Sequence, residues 1–313
     1  MKPTQLFDLH CDTPTQLYRH NTSLVKNPHH VSLEGAGAFD QYTQVMAIFS
    51  PYALDDENAF HNFHKTADYL MTEFETNCEK VAYVRTAQGF LAAKTPARMF
   101  LAVEDARLLA GKHDRLRILH ARGVRFLTLV WSGESCIGGA HNTELGLTDF
   151  GKAVVKNCFS MGIIPDISHA SQKTASDIFD IAEAYGKAVI ATHSNAYSVH
   201  PHSRNLRDEQ FKRLMACGGI SGICLCNEHL SEKPQATVND IVKHIEHFMA
   251  LGGEDHLAMG SDFDGTDLPE GISCPSDLLK IAEALAQLNY SDTQLQKLFW
   301  QNAATFVEKN LYI

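Results

Sequence analysis

The chain has 313 residues, a formal net charge of −10 at pH 7 and 44% hydrophobic residues. This length and composition are enough to bury a substantial core and exclude a disordered chain, and no apolar run approaches the roughly 20 residues that cross a bilayer. The acidic balance, without any cluster of lysines and arginines, argues against a nucleic-acid partner and favours a small-molecule substrate.

The first predicted strand, Leu6-Phe7-Asp8-Leu9-His10-Cys11-Asp12, ends in a His-x-Asp pair. Side chains alternate between the two faces of a strand, so His10 and Asp12 point the same way. An imidazole and a carboxylate aimed at one point suit zinc and its first-row neighbours. Taken alone, the triplet is more typical of a strand-end histidine that is hydrogen-bonded to an aspartate.

Further along the chain, short apolar runs alternate with segments of helical periodicity. A loop-rich stretch over 14–38 precedes the second strand, and a Gly-rich loop over 132–146 contains His141. The later predicted strands cover 44–51, 99–104, 124–131, 162–169, 188–193, 220–226 and 257–262. The predicted helices cover 55–76, 106–122, 149–161, 171–185, 208–217, 238–251, 276–288 and 293–310.

Eight apolar strands that alternate with amphipathic helices are the pattern of a parallel sheet covered by helices. Eight such units favour an α/β fold of the (β/α)8 barrel (TIM barrel) type, in which the carboxyl ends of all strands meet at one mouth. The sequence contains no linker, internal repeat or low-complexity tract. We therefore expect one domain over residues 1–313.

Imidazoles and carboxylates recur at the carboxyl ends of five predicted strands. They are His10, Asp12, Glu104, His169, His193 and Asp262. His10 with Asp12 can hold one metal and His169 with His193 a second, and Glu104 can bridge both. Two cations about 3.5–4 Å apart lower the pKa of a shared water, so that a hydroxide forms near neutral pH. Each residue could instead be a buried, hydrogen-bonded structural group, but that explanation is poor for all six together.

These motifs resemble those of the membrane (renal) dipeptidases, zinc-dependent members of the metal-dependent amidohydrolase barrels. The resemblance runs through nearly the whole chain and includes Phe7-Asp-Leu-His10-Cys-Asp12-Thr, Glu104, Asp166-Ile-Ser-His169, Thr192-His193-Ser-Asn-Ala-Tyr197, Ser203-Arg204-Asn205 and Gly260-Ser-Asp262-Phe-Asp-Gly265. It implies two Zn²⁺ ions per chain, with Co²⁺ or Mn²⁺ as alternatives, and hydrolysis of dipeptides that often carry a D-residue at the C-terminal position.

The resemblance also implies the role of each residue. His10 and Asp12 match the ligands of one zinc, His169 and His193 those of the other, and Glu104 the bridge. Asp262 matches the proton shuttle, although it could also complete a zinc shell. Arg204 matches the arginine that binds the substrate carboxylate, a role that suits the forked guanidinium.

The chain departs from the family pattern at the end of the fourth strand. Better-known members have a histidine there that is thought to hydrogen-bond the scissile carbonyl oxygen, and this chain has Trp131. An indole N–H can donate one hydrogen bond but does not titrate in this range. His141, in the following loop, is a candidate for the missing donor, so Trp131 and His141 are both expected at the substrate.

The chain has eight cysteines without a Cys-x-x-Cys pair, and the first strand follows Met1 without an apolar signal segment. Both features predict a cytoplasmic protein with reduced cysteines and no membrane anchor. The oligomeric state stays open, with a homodimer among the alternatives.

Two other functions compete with the dipeptidase. One is a different amidohydrolase-type enzyme, such as a deaminase, lactonase or phosphotriesterase, but those enzymes usually begin with His-x-His rather than His-x-Asp. The other is a barrel that has lost catalysis and serves as a binding protein. The presence of all six candidate groups speaks against that alternative.

Overall fold

Parallel strands form a closed barrel in the computed structural model, which describes residues 2–311. The strands of this part of the chain are β1 (Gln5–Cys11), β2 (Gln41–Phe49), β3 (Val81–Tyr83), β4 (Ala97–Glu104), β5 (Val124–Thr128), β6 (Ile164–Asp166), β7 (Ile190–Ala191), β8 (Ile220–Ile223) and β9 (Leu257–Met259). Strand β1 pairs with β2 and β9, and β2 pairs with β4, which closes a ring of eight strands. The predicted (β/α)8 barrel is confirmed.

Strand β3 is additional to the eight predicted strands. It pairs with the first residues of β4, from Val81 opposite Ala97 to Tyr83 opposite Met99. Strand β5 uses the same edge of β4 further along, beginning opposite Leu101. A three-residue run is too short to be recognised from hydrophobic periodicity, so β3 could not be predicted.

The helices lie mostly where the periodicity predicts them. They are α1 (Thr13–His20), α2 (Asp56–Thr76), α3 (Ala87–Ala92), α4 (His113–Ala121), α5 (Asp149–Met161), α6 (Gln172–Tyr185), α7 (Asp208–Ala216), α8 (Asn227–Leu230), α9 (Val238–Ala250), α10 (Leu279–Gln287), α11 (Asp292–Gln296) and α12 (Asn302–Asn310). No helix among residues 2–311 is both long enough and apolar enough to cross a membrane.

The predicted helix over 106–122 is two helices in the structure. A 3-10 helix, Ala106–Leu109, is separated from α4 by three residues, of which Ala110 and Gly111 have φ values of 49° and 70°. A left-handed residue ends a helix because the chain can no longer follow the right-handed path. The predicted C-terminal helix is continuous but contains a π-helical turn, Lys297–Gln301, between α11 and α12.

Aromatic side chains fill the amino-terminal end of the barrel. Phe7 of β1 stacks on Phe100 of β4 at 5.9 Å between ring centroids, and Trp300 of the C-terminal helix lies 6.0 Å from Phe7. Phe90 of α3 packs against Trp300 at 5.8 Å. We call these four residues the aromatic floor. Because they fill the barrel at this end, the polar side chains gather at the opposite, carboxyl-terminal mouth.

Several strands end earlier than predicted because buried side chains take over their backbone hydrogen bonds. Asp166 Oδ1 accepts a hydrogen bond from the backbone N–H of Thr192 at 3.0 Å. Asp8 Oδ1 accepts from the N–H groups of His10 and Ser261 at 3.1 and 2.9 Å. The residues at and just beyond the strand ends are thereby held in place while their side chains turn into the mouth.

Candidate metal centre

All six metal-site and acid–base residues predicted from the sequence lie together at the carboxyl-terminal mouth. His10 is inside β1, Glu104 is the last residue of β4, and the others follow the ends of β1, β6, β7 and β9 by one to three residues: Asp12, His169, His193 and Asp262. All six side chains are buried or nearly so. His169 and Asp262 have left-handed backbones, with φ of 67° and 62°. Such conformations are uncommon outside glycine and concentrate at functional sites.

The carboxylate of Glu104 is the centre of the cluster. Its Oε1 lies 2.9 Å from His169 Nε2 and 3.4 Å from His193 Nε2, and its Oε2 lies 3.8 Å from His10 Nε2. Asp12 Oδ2 lies 3.6 Å from the same His10 nitrogen. Nitrogen and oxygen ligands that share a tetrahedral zinc are about 3.3 Å apart, given metal–ligand distances of about 2.0–2.2 Å. The spacing suits divalent cations between these groups.

The ligand atoms form overlapping groups of three. Glu104, His169 and His193 make one group, and His10, Asp12 and Asp262 make another. His10 Nε2 and Asp12 Oδ1 are buried and have no hydrogen-bond partner among the described residues. A buried polar atom without a partner costs free energy, and a bound cation removes that cost. The donor set therefore fits two metal ions.

The protonation states of two of the three imidazoles also fit metal binding. Burial, reinforced by the charge of Arg204, lowers the pKa of His169 to about 4. Burial and the neighbouring His10 lower the pKa of His193 well below its usual value. Both rings are thus neutral near pH 7, and a neutral ring is the form that binds a metal.

The His169 ring is held with the correct nitrogen toward Glu104. Its Nδ1 lies 3.1 Å from the backbone carbonyl of Trp131, which can only accept a hydrogen bond. The Nδ1 atom of the neutral ring therefore carries the proton, and the lone pair of Nε2 faces Glu104. Trp131 thus contributes to the site through its backbone as well as through its indole ring.

The carboxylates of the site are crowded. Burial and then the charge of Glu104 raise the pKa of Asp12 well above its usual value. Burial would lower the pKa of His10, but Glu104, followed by Asp12, raises it well above the ordinary value. Such a buried group of carboxylates is stabilised by positive charge, which metal ions supply.

Asp262 has the surroundings of an acid–base group. Burial raises the pKa of its carboxyl group to about 6, with His10 opposing this rise and Glu104 adding to it. The Cys224 thiol donates to Asp262 Oδ2 at 3.7 Å. A Cβ on Gly265 would lie 2.2 Å from Asp12 Oδ2 and 2.4 Å from Asp262 Oδ1. Only glycine at position 265 leaves room for both carboxylates.

A cavity of about 500 Å³ opens above the cluster. Arg204, Trp131 and His141, the three residues predicted to contact substrate, all line it. The Trp131 ring packs between Phe49 and Tyr52, with ring centroids at 5.0 and 5.6 Å. Trp131 is therefore part of an aromatic wall on one side of the cavity.

Arg204 and His141 line the same cavity. Arg204 is 5% exposed, donates from Nη2 to the backbone carbonyl of His193 at 3.3 Å, and has no partner for Nε among the described side chains. His141 Nδ1 lies 2.8 Å from Ser203 Oγ. Burial, and then the charge of Arg204, lower the pKa of His141 to about 3.

Some cavity residues were missed by the sequence analysis. His202 lines the cavity from the loop after β7, Glu228 and His229 line it from α8, and Arg19 lines it from α1. The rings of His202 and His229 are 4.7 Å apart. These residues follow no strand end and no periodic pattern, so the sequence carried no signal for them beyond the unusually high number of histidines.

Comparisons with known proteins identify the family of the chain. The sequence model of the membrane dipeptidase family, peptidase family M19, matches residues 1–310. Dipeptidase tcpJ of Claviceps purpurea is 32% identical over 210 residues, which make up 64% of this chain and 48% of that protein.

Solved structures give the same result for the fold. The crystal structure of dipeptidase AC, a metallopeptidase of family M19, has a TM-score of 0.92 and 25% identity, and the match covers 100% of both chains. A metallopeptidase from Rhodobacter sphaeroides, liganded with a phosphinate mimic of the dipeptide L-Ala-D-Ala, has a TM-score of 0.90 and 24% identity over 99% of this chain and 100% of that one. The chain therefore belongs to the membrane dipeptidase family, peptidase family M19, and is a metallopeptidase that hydrolyses dipeptides.

Proposed function

We propose that the protein is a dipeptidase with two zinc ions, in which His10 and Asp12 hold one ion, His169 and His193 hold the other, and Glu104 bridges them. The observation that carries this proposal is the position of Glu104, whose carboxylate faces the Nε2 atoms of three imidazoles at 2.9 to 3.8 Å. When bound, the two cations supply Lewis-acid activation of water and of the scissile carbonyl.

The substrate is a dipeptide held by its free C-terminal carboxylate. Arg204 is a buried guanidinium that faces the cavity with an unpaired Nε, and a guanidinium binds a carboxylate through two parallel hydrogen bonds. The Rhodobacter sphaeroides metallopeptidase of the same fold was crystallised with an L-Ala-D-Ala mimic. That ligand makes L,D-dipeptides the first class to test for this chain.

Asp262 transfers the proton. Amide hydrolysis requires that the attacking water loses a proton and that the departing amine gains one, and a single carboxylate can perform both steps. With a pKa raised to about 6 by burial, Asp262 exchanges protons readily near neutral pH. Asp264 suits this role less well, because its carboxylate accepts hydrogen bonds from Thr13 Oγ1 at 2.5 Å and from the His30 N–H at 2.8 Å.

His141 is the proposed hydrogen-bond donor to the scissile carbonyl oxygen. Better-known family members are thought to use a histidine at the position of Trp131 for this role. Its ring is neutral, since its pKa is lowered to about 3 chiefly by burial. If Nδ1 accepts from Ser203, the other ring nitrogen carries a proton that it can donate into the cavity. Trp131 then serves as an apolar wall against the substrate side chain.

The cellular setting is also a proposal. All eight cysteines are unpaired, and free thiols are typical of the reducing cytoplasm. We therefore propose that the protein works in the cytoplasm. We also propose that residues 1–313 form a single catalytic domain, because one barrel contains all the candidate residues.

The decisive test is metal removal and replacement. Protein treated with chelator should lose dipeptide hydrolysis, and two equivalents of zinc should restore it. Glu104→Gln should bind metals without cooperation between the two sites, because a neutral amide bridges poorly. Full activity of a preparation shown to be free of metal, or unchanged two-metal occupancy in Glu104→Gln, would contradict the proposed centre. A panel of L,L- and L,D-dipeptides then defines the preferred stereochemistry.

A further inference from the structure

A buried carboxylate, Asp166, lies directly beneath the metal ligands. Its Oδ1 accepts from the N–H groups of Ser168 and Thr192 at 2.9 and 3.0 Å. Its Oδ2 accepts from the hydroxyls of Thr128 and Thr192, both at 2.6 Å. A carboxylate has about four acceptor positions, and all of them are used. Asp166 therefore has no lone pair left for a metal, although it lies close enough to His10 and His193 to be a ligand.

The hydroxyl of Thr192 is shared between Asp166 and two imidazoles. Thr192 Oγ1 lies 2.9 Å from His193 Nδ1, 3.3 Å from His10 Nδ1 and, at the longest distance of the three, 3.4 Å from Ser168 Oγ. A hydroxyl has a single proton, and this one is donated to Asp166. Toward the two rings, the Thr192 oxygen can therefore act only as an acceptor. Each ring must carry its proton on Nδ1 to make these hydrogen bonds.

We infer that Asp166 and Thr192 form a positioning pair that sets the tautomer of His10 and His193 together. With the proton on Nδ1, the lone pair of each ring is on Nε2, and both Nε2 atoms face Glu104. The inference rests on the proposed metal centre, in which His10 and His193 belong to different ions. One hydroxyl would thus orient one ligand of each metal.

The packing around Thr192 fits this role. A Cβ on Gly222 or Gly260 would lie 2.0 or 1.9 Å from the Thr192 carbonyl oxygen. Gly222 is part of β8, and Gly260 directly follows β9. Because neither has a side chain, the backbone at Thr192 can lie deep in the barrel. From this position its hydroxyl reaches rings that come from two different strands.

His169 provides an internal comparison. Its Nδ1 is held by the backbone carbonyl of Trp131, at 3.1 Å, and not by Thr192. Removal of the Thr192 hydroxyl should therefore disturb the tautomers of His10 and His193 and leave that of His169 unchanged. A general loosening of the site would affect all three rings.

The experiment compares Thr192→Val, which replaces the hydroxyl by a methyl group of similar size, with Thr128→Val. The control makes the same change in the same network, because Thr128 also donates to Asp166 Oδ2 at 2.6 Å, while the hydroxyl that is hydrogen-bonded to His10 and His193 is that of Thr192. Nitrogen NMR of protein labelled in histidine reads the tautomers in the metal-free state, at a pH high enough to keep the His10 ring neutral, because Glu104 and Asp12 raise the pKa of that ring. Zinc affinity is measured in the intact protein by competition with a chromophoric chelator.

In Thr192→Val we expect the Nδ1–H preference to be lost at His10 and His193 and zinc affinity to fall by about 10–100-fold, the usual effect of removing a partner of a metal-binding histidine. Thr128→Val should keep all three tautomers and bind zinc within about threefold of the wild-type affinity. Thr192→Ser, which retains the hydroxyl, should restore both properties. If Thr192→Val does not fold, Thr192→Ala compared with Thr192→Ser measures the loss of the oxygen.

Unchanged tautomers at His10 and His193 in the variant without the hydroxyl would overturn the inference, and so would an equal loss of zinc affinity in Thr128→Val. The tautomers are measured without metal, so their outcome is independent of the proposed function. A wild-type protein that binds no zinc would refute the proposed function. The NMR comparison would still decide whether Thr192 sets the tautomers of His10 and His193.

Discussion

His244 links the loop that carries Arg204 to α9, and its protonation should weaken the fold. The His244 ring is fully buried. Its Nδ1 accepts from the Ala196 N–H at 3.0 Å, and its Nε2 lies 3.0 Å from the carbonyl oxygen of Leu230. A neutral ring satisfies both contacts, but a protonated ring places an N–H against the N–H of Ala196. Burial accordingly lowers the pKa of His244 from 6.5 to about 4.

The sign and size of the effect follow from this shift. Between pH 6.5 and 4 the unfolded chain binds a proton at this position and the folded chain does not, so acid favours unfolding. The stabilising contribution is complete above pH 6.5 and is lost as the pH falls toward 4. From pH 7.5 to 4.5, linkage gives a loss of about 2.5 kcal/mol in the free energy of unfolding from His244 alone.

The measurement compares the wild type with His244→Gln by urea unfolding of chelator-treated protein at both pH values. Glutamine retains a donor for Leu230 but does not titrate, so the wild type should lose about 2.5 kcal/mol more than the variant over this interval. The other buried histidines titrate in both proteins and cancel in the difference. Equal losses in the two proteins would show that the folded state does not exclude a proton from His244.

Three further changes test the site. Gly265→Ala should displace the carboxylates of Asp12 and Asp262, so metal content measured by atomic emission should fall below two equivalents. Full occupancy would show that the backbone around residue 265 moves and the carboxylates stay in place. Arg204→Ala and amidation of the dipeptide C-terminus should each cost about 2–5 kcal/mol in kcat/KM, and the losses should not add, because both break the same charge pair. Asp262→Asn should keep both metals while kcat falls by about 10²–10⁴, and loss of a metal would instead identify Asp262 as a ligand.

The sequence was sufficient to predict the barrel and the grouping of the six candidate residues at its mouth, because both depend on one regularity. Parallel strands bring their carboxyl ends to one mouth, so residues that end separate apolar runs, such as Glu104 and His193, become neighbours in space. This inference needs the order of the elements but not their distances. The slightly misplaced strand ends did not affect it.

Other features depend on distances that periodicity does not encode. Asp166 and Thr192 were visible in the sequence as parts of motifs, but their shared hydrogen bond exists only because β6 and β7 lie side by side. His202 and His229 come together through the path of the loop after β7 and the position of the short helix α8. The end of the helix at Ala110 is a local left-handed turn at a residue that ordinarily favours helix.

The aromatic floor determines the route by which the reaction products leave the barrel. Phe7, Phe100 and Trp300 close the amino-terminal end with rings about 6 Å apart, so the amino acids released by hydrolysis cannot leave in that direction. Both products depart through the mouth by which the dipeptide entered. In the proposed binding mode, the product that retains the C-terminal carboxylate leaves from beside Arg204. That amino acid should therefore compete with incoming substrate, and turnover should slow as it accumulates even while dipeptide remains abundant.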